Sequence, residues 1–268
     1  MITFMKFFKI ENIGIGDLVI FASEQLSLDE DITVSLDSNS LKLYKSDPDA
    51  YLDFGQKFLT KLLPQKNITF TNDQNLPIYH IDGSRFLNQC THEDMCSHFQ
   101  SVFNAKKLSI KKPYVVLNTK VRYYNRSLFN NDKDIFFKEL NSLGCKVLLL
   151  GEREVEYNTE YRVWGSDEIY SIYPEAKMLI DKRLLIDKTI PKLGLTTPSI
   201  DNIFDDMILS YQAKACINIG VGGFFCMSIF SRKLRTLTSE YPEIQDIYAF
   251  SNVQKLFDSI KLLCKEKV

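Results

Sequence analysis

The sequence is poor in the features that mark many simple function classes. None of its six cysteines makes a C-x-x-C pair, and its three histidines have no metal-ligand spacing with them. Cys90-x-His92 and Cys96-x-His98 supply no partner set, and His80 stands alone, so no zinc or other metal site is expected. No stretch approaches the roughly 20 apolar residues of a membrane span. Neither a G-x-S-x-G elbow nor a P-loop occurs, which removes the usual serine-hydrolase and Walker-type ATPase readings. The formal net charge is −1, so no global basic field invites nucleic acid. Low-complexity segments and internal repeats are absent, and the opening MITFMKFFKIENIGIGD lacks the long apolar core and cleavage site of a signal peptide. The expectation is a cytoplasmic protein with free thiols rather than disulfides, several of them in apolar runs such as LGCKVLLL and AKACINIG.

What remains is the composition of an ordinary globular chain, with 45% hydrophobic and 25% charged residues, enough for a substantial core. Its 268 residues suit two small domains or one large one. MKFFKIE at 5–11 predicts a buried strand, NIGIGD a turn, LVIFASEQL a short helix and ITVSLD at 32–37 a second strand. That order opens a βαβ unit, whose parallel strands demand a crossover helix. A helix is expected over 50–63, short strands at NITF and PIYHID, and another helix between Phe86 and Phe103. The basic, proline-ended KKLSIKKP reads as a linker, and after it the pattern restarts. YVVLNT at 114–119, KVLLLGE at 146–152, ACINIG at 215–220 and LRTLTSE as the closing strand alternate with helical segments. Those segments are DKDIFFKELNSLG with Gly144 as its stop, DNIFDDMILSYQA opened by Asp201, FFCMSIFSR, and VQKLFDSIKLLCKEK. The fold class is therefore α/β with two Rossmann-like domains, 1–110 and 111–268.

Three turns follow predicted strands, where open parallel sheets place ligands. At Gly14-Ile15-Gly16-Asp17 two glycines let the backbone approach a ligand beside a helix N-terminus. A dinucleotide fingerprint needs a third glycine where this chain has Val19, although Asp37 lies about where a ribose-binding acid would. Asp17 is either a helix cap or a general base. Gly220-Val221-Gly222-Gly223 leaves the backbone unhindered, suiting a diphosphate, or is a turn that needs positive φ. Lys120 and Arg122, with Arg126 beyond, could neutralise a nucleotide diphosphate, and Gly151-Glu152 follows the next strand with an acceptor for a ribose or base. Asp47-Pro48-Asp49 is formally a D-x-D but reads as a turn, and Asp205-Asp206 as a solvated helix face.

Together the G-x-G-D turn, the two Rossmann-like halves and the late glycine loop resemble the GT-B glycosyltransferases, in particular the heptosyltransferases of glycosyltransferase family 9. The resemblance rests on Ile13-Gly14-Ile15-Gly16-Asp17-Leu18-Val19-Ile20 and on the order of elements. The late loop reads GVGGFF where that family usually has D-T-G and a following histidine, and the N-terminal half is shorter. The resemblance implies two domains facing each other across a cleft and metal-independent transfer from a nucleotide-sugar donor to a glycan or glycolipid acceptor, with no cofactor. It would make Asp17 the base, place Lys120 or Arg122 and Gly220 to Gly223 at the donor phosphates, and allow peripheral membrane contact. The alternatives are a nucleotide-sugar epimerase of the same architecture and a non-catalytic GT-B-like binding protein.

Overall fold

A computed structural model describes residues 5–11, 14–26, 30–37, 48–80, 113–118, 120–122, 131–150, 161–163, 179–181, 200–220, 233–238 and 249–265. The expected helices at 86–103 and in FFCMSIFSR, and most of the 106–113 linker, lie outside them. The chain divides into two compact units, residues 1–98 with 189–201, and residues 99–188 with 202–268.

The first unit opens with β1 (Met5–Ile10), α1 (Ile15–Gln25) and β2 (Asp31–Leu36), then α2 (Pro48–Leu62) and β3 (Ile68–Thr71). The three strands are parallel in the order β3-β2-β1. β2 is buried almost throughout, as a strand covered on both faces should be. Leu18, Val19, Phe21 and Ala22 of α1 are fully buried, so the apolar run after the glycine turn is the packing face. Phe21 meets Phe8 of β1 edge to face at 5.3 Å and Tyr79 at 4.9 Å. PIYHID, expected as a strand, contributes a single parallel bridge from Ile78 to Lys9. Lys9 donates its amide to Pro77 O at 2.7 Å, and Tyr79 donates to Lys9 O at 2.8 Å. This segment lies on the free edge of β1. In chain order the four paired segments therefore run third, second, first, fourth, and the order reverses at β1.

The second unit carries β4 (Tyr114–Asn118), β5 (Lys120–Arg122), α3 (Lys133–Ser142), β6 (Lys146–Leu150), β7 (Tyr161–Val163) and β8 (Leu179–Asp181). It continues through α4 (Ile200–Gln212), β9 (Cys216–Ile219), β10 (Leu234–Leu237), β11 (Ala249–Phe250) and α5 (Val253–Lys265). Six of these strands form one parallel sheet, ordered β8-β6-β4-β9-β10-β11. Counted within this sheet the order is 3-2-1-4-5-6, the doubly wound dinucleotide-fold order, with its reversal between β4 and β9. LRTLTSE is not the closing strand, because β11 lies outside it at the sheet edge. Asp201 falls inside α4 rather than before it.

Core packing follows the continuous apolar runs. Val115, Leu117, Val147, Leu149, Ile217 and Ile219 face Phe136 and Phe137 of α3 and Leu256, Phe257 and Ile260 of α5. On the other side the buried Tyr114 hydroxyl donates to Leu209 O of α4 at 2.8 Å, tying that helix to the central strand. Burial pushes the Tyr114 phenol well above its ordinary range, so it stays a neutral donor. Gly144 stops α3 at φ +64, a left-handed turn that glycine adopts without strain. Asp206, expected on a solvated face, is instead buried.

Candidate active site

Both sheets reverse strand order, and the ends of strands at such a reversal leave a crevice for ligands. In the first unit the chain leaves β1 at that point and enters α1 through Gly14, the N-cap residue. Leu18 donates to Gly14 O at 3.0 Å, closing the first turn. Asp17 occupies the third helical position and its carboxylate reaches back to the Gly14 backbone amide. That is one half of a capping box, the arrangement a helix-cap role would use. Gly14 has ordinary extended dihedrals, and its requirement is space. A Cβ built there would lie 2.6 Å from Asp17 Oδ2. Gly16 sits in the same first turn.

The cap does not make Asp17 an ordinary carboxylate. Desolvation by the surrounding protein raises its pKa to about 6, outweighing the lowering by the Gly14 amide. A half-buried carboxylate of that basicity is mostly ionised at neutral pH and is a better proton acceptor than a solvated aspartate. Val19, standing where a dinucleotide fingerprint has its third glycine, is a fully buried residue of α1. Asp37, at the end of β2, is committed elsewhere: its carboxylate pairs with Lys9 Nζ at 3.1 Å, with Glu11 on the same ammonium at 3.9 Å. It is therefore part of a largely buried ion pair.

In the second unit the reversal point is marked by polar residues inside an apolar sheet. Asn118 at the end of β4 donates through Nδ2 to Asn218 Oδ1 at 2.8 Å, and both are buried. Asn218 in turn donates to Gly220 O at 2.7 Å, and Thr236 Oγ1 donates to the same carbonyl at 2.9 Å. Gly220 has φ +80 and gives its own amide to Leu237 O at 2.8 Å. Its part is to turn the chain out of the sheet, and Val221, Gly222 and Gly223 lie outside the described residues. Thr238, just past β10, is also buried.

Lys120 and Arg122 lie on β5, a short strand that leaves the end of β4 and neighbours β9. It pairs antiparallel with β7, placing Lys120 opposite Val163 and Arg122 opposite Tyr161. The structure thus brings Lys120, Arg122 and Gly220 to the same end of the second sheet. Glu152 is outside the described residues. Sequence reading missed Asn218, although a polar residue interrupting the buried strand CINIG, like the asparagine ending YVVLN, was the available signal. Among the described residues no three His, Cys, Asp or Glu side chains converge as a metal site would require, and His80 is exposed. Among them, too, no helix is long and apolar enough to cross a membrane.

No protein-family model matches the chain, and no curated protein matches it significantly. Solved structures similar to it are glycosyltransferases. One is the dodecameric, iron-containing heptosyltransferase TibC, solved with ADP-D-beta-D-heptose: 11% identity, TM-score 0.44, covering 87% of this chain. The chain spans 56% of that protein's length. A second is the ADP-heptose lipopolysaccharide heptosyltransferase II of E. coli, at 12% identity and TM-score 0.43, covering 97% of this chain and 98% of that one. A third is a family 9 glycosyl transferase from Veillonella parvula, at 10% identity and TM-score 0.38, covering 98% of each chain.

Proposed function

We propose that the chain is a glycosyltransferase moving a sugar from a nucleotide-sugar donor to a hydroxyl of a glycan or glycolipid acceptor, without a metal. The observation that carries this reading is the contrast between the two reversal points. One presents a carboxylate whose pKa is raised to about 6, and the other a glycine-led exit beside a strand carrying Lys120 and Arg122. A proton acceptor and a phosphate site are the two parts that metal-free glycosyl transfer needs.

In this scheme the donor's diphosphate lies at the C-terminal ends of β4 and β9, with the amides of Gly222 and Gly223 and the charges of Lys120 and Arg122 around it. Asp17 accepts the acceptor's hydroxyl proton as the oxygen forms its bond to the anomeric carbon. The bond from that carbon to the diphosphate breaks, and the departing oxygen carries away the electron pair. Positive charge at β5 stabilises the leaving group, because arginine and lysine hold phosphate oxygens by charge-assisted hydrogen bonds. Glu152 is assigned to the ribose or base.

The deciding experiment is a thermal-shift screen with UDP-, GDP-, ADP- and dTDP-sugars. The expected result is stabilisation by one nucleotide class, followed by sugar transfer when an acceptor is added. No shift with any of them would overturn the reading. Conversion of the donor with no acceptor present would assign the protein to the epimerases instead.

A further inference from the structure

At the reversal point of the second sheet β4 and β9 part company. β4 stays paired with β6 through Asn118 opposite Leu150, and β9 with β10 through Ile219 opposite Leu237. Between themselves β4 and β9 pair last at Leu117 and Ile217. Asn118 and Asn218 therefore stand opposite each other one step beyond that backbone pairing. Their side chains take over there, Asn118 Nδ2 donating to Asn218 Oδ1 at 2.8 Å with both residues buried.

The direction of this bond is forced. Asn218 Nδ2 donates to Gly220 O at 2.7 Å, so turning that amide over would set its oxygen against a carbonyl oxygen. Asn218 can therefore only accept from residue 118, which must supply an N–H. Thr236 Oγ1 donates to the same Gly220 carbonyl at 2.9 Å, and the Gly220 amide donates to Leu237 O at 2.8 Å. Gly220 is thus held from both sides in its turn at φ +80. On the other arm, Lys120 opens β5 two residues after Asn118, and β5 neighbours β9. For stability alone, two opposed apolar residues would serve this place about as well as an amide pair. What the amides add is a fixed geometry between the two strand ends.

We propose that the Asn118–Asn218 pair is a clasp setting the gap between β5 and the Gly220 exit, so that both asparagines are positioning residues for a nucleotide diphosphate. This rests on the transferase reading, which assigns Lys120 and Arg122 to the donor's diphosphate. Buried as they are, the asparagines act through their neighbours. Asn118 fixes where the chain leaves β4 for the basic strand, and Asn218 fixes the carbonyl from which the chain leaves β9. A phosphate held from two strand ends needs those ends at one separation before it arrives, because a misplaced group must be moved at the expense of binding. Breaking the clasp lets β4 and β9 spread where their backbone pairing has already ended, and the positive charge on β5 loses its fixed place.

The test titrates the full chain calorimetrically with UDP, GDP, ADP and dTDP. For the diphosphate that the unmutated chain binds, Asn118→Leu removes the donor at similar volume and should weaken binding about ten-fold. Asn118→Leu combined with Asn218→Leu should bind no more weakly than either alone, as expected of two residues acting as one unit. Lys120→Ala should cost less affinity in Asn118→Leu than in the unmutated chain, because the clasp no longer holds β5 in place. A purely structural role would move the unfolding midpoint and none of these affinities. Equal affinity in the folded variants, or losses that simply add, would overturn the clasp and leave the transferase reading standing. No binding of any of the four diphosphates by the unmutated chain would overturn that reading and the clasp with it. Should the variants fail to fold, the unmutated chain labelled with 15N decides. The side-chain amide signals of Asn118 and Asn218 should shift when the diphosphate binds, while that of Asn67, bonded to Asp31 in the first unit, stays in place. No shift at either asparagine would overturn the clasp.

Discussion

At the residue scale Asp17 stands out, because its carboxylate accepts from the Gly14 amide at the start of α1 while burial raises its pKa to about 6. As the proposed base, its replacement in Asp17→Asn should lower the turnover number by about 10²–10⁴-fold while leaving nucleotide-sugar binding intact. Steady-state rates and donor titration separate the two effects. The acid limb of the wild-type rate profile should lie near pH 6 and disappear in the variant. The same shift has a stability consequence. Folding raises the Asp17 pKa from 3.8 to about 6, so the folded state binds the proton more tightly. That contribution is fully present below about pH 3.8 and is lost as pH rises through about 6. Asp17→Asn, uncharged throughout, should therefore gain thermal midpoint relative to wild type above pH 6, and the difference should shrink on acidification. Gly14→Ala places a methyl where Asp17 Oδ2 now lies. It should displace the carboxylate and reduce turnover with little loss of global stability, whereas turnover equal to wild type would remove the cap geometry from the mechanism.

At the element scale the reversal between β4 and β9 depends on one buried polar chain running from Asn118 through Asn218 to Gly220. Leaving a buried polar group without its partner costs about 1–3 kcal/mol. Asn218→Ala should destabilise the protein by about that amount, because Asn118 and the Gly220 carbonyl each lose a partner. A denaturant titration measures the cost. If the chain's exit from β9 also orients the donor loop, the same variant should weaken nucleotide-sugar binding. Ordinary apolar repacking at Ile217 or Ile219 should not. Around this network the other ties are of the usual kind, an aromatic edge-to-face contact at one helix seam and a tyrosine hydroxyl on a carbonyl at another.

For the whole molecule, the two units repeat one plan with different contents. Each reverses strand order beside its first strand, and each sends a glycine-containing segment out at that point. A nucleotide that occupies only the second unit should leave a spatial signature. Hydrogen exchange should slow at the ends of β4 and β9, around Asn118 and Gly220, and remain unchanged in α1. At a ligand concentration 100-fold over its dissociation constant the stabilisation should reach about 2.7 kcal/mol. Protection appearing in α1 with nucleotide alone would reassign the donor to the first unit.

The sequence by itself determined the α/β class and the longer elements, but not the short strands β5, β7, β8 and β11. Apolar runs such as YVVLN and KVLLL can be satisfied only as strands covered on both faces, helical spacing identified α1, α2, α3 and α5, and Gly144 could be placed as a stop. It also carried the family resemblance, through the G-x-G-D turn. Strand order was decided only in the tertiary structure, because local periodicity states which faces are buried and not which strand lies alongside. For the same reason Asn118 and Asn218, far apart in the chain, became one hydrogen-bonded pair. Asp206 shows the opposite lesson: a carboxylate looks solvated in a sequence until the fold supplies its burial, and at Asp37 the fold supplied an ammonium partner that the sequence did not announce. The glycine turns were legible as turns. That the first holds a desolvated carboxylate and the second spends Gly220 on the sheet depended on neighbours which only folding brings near.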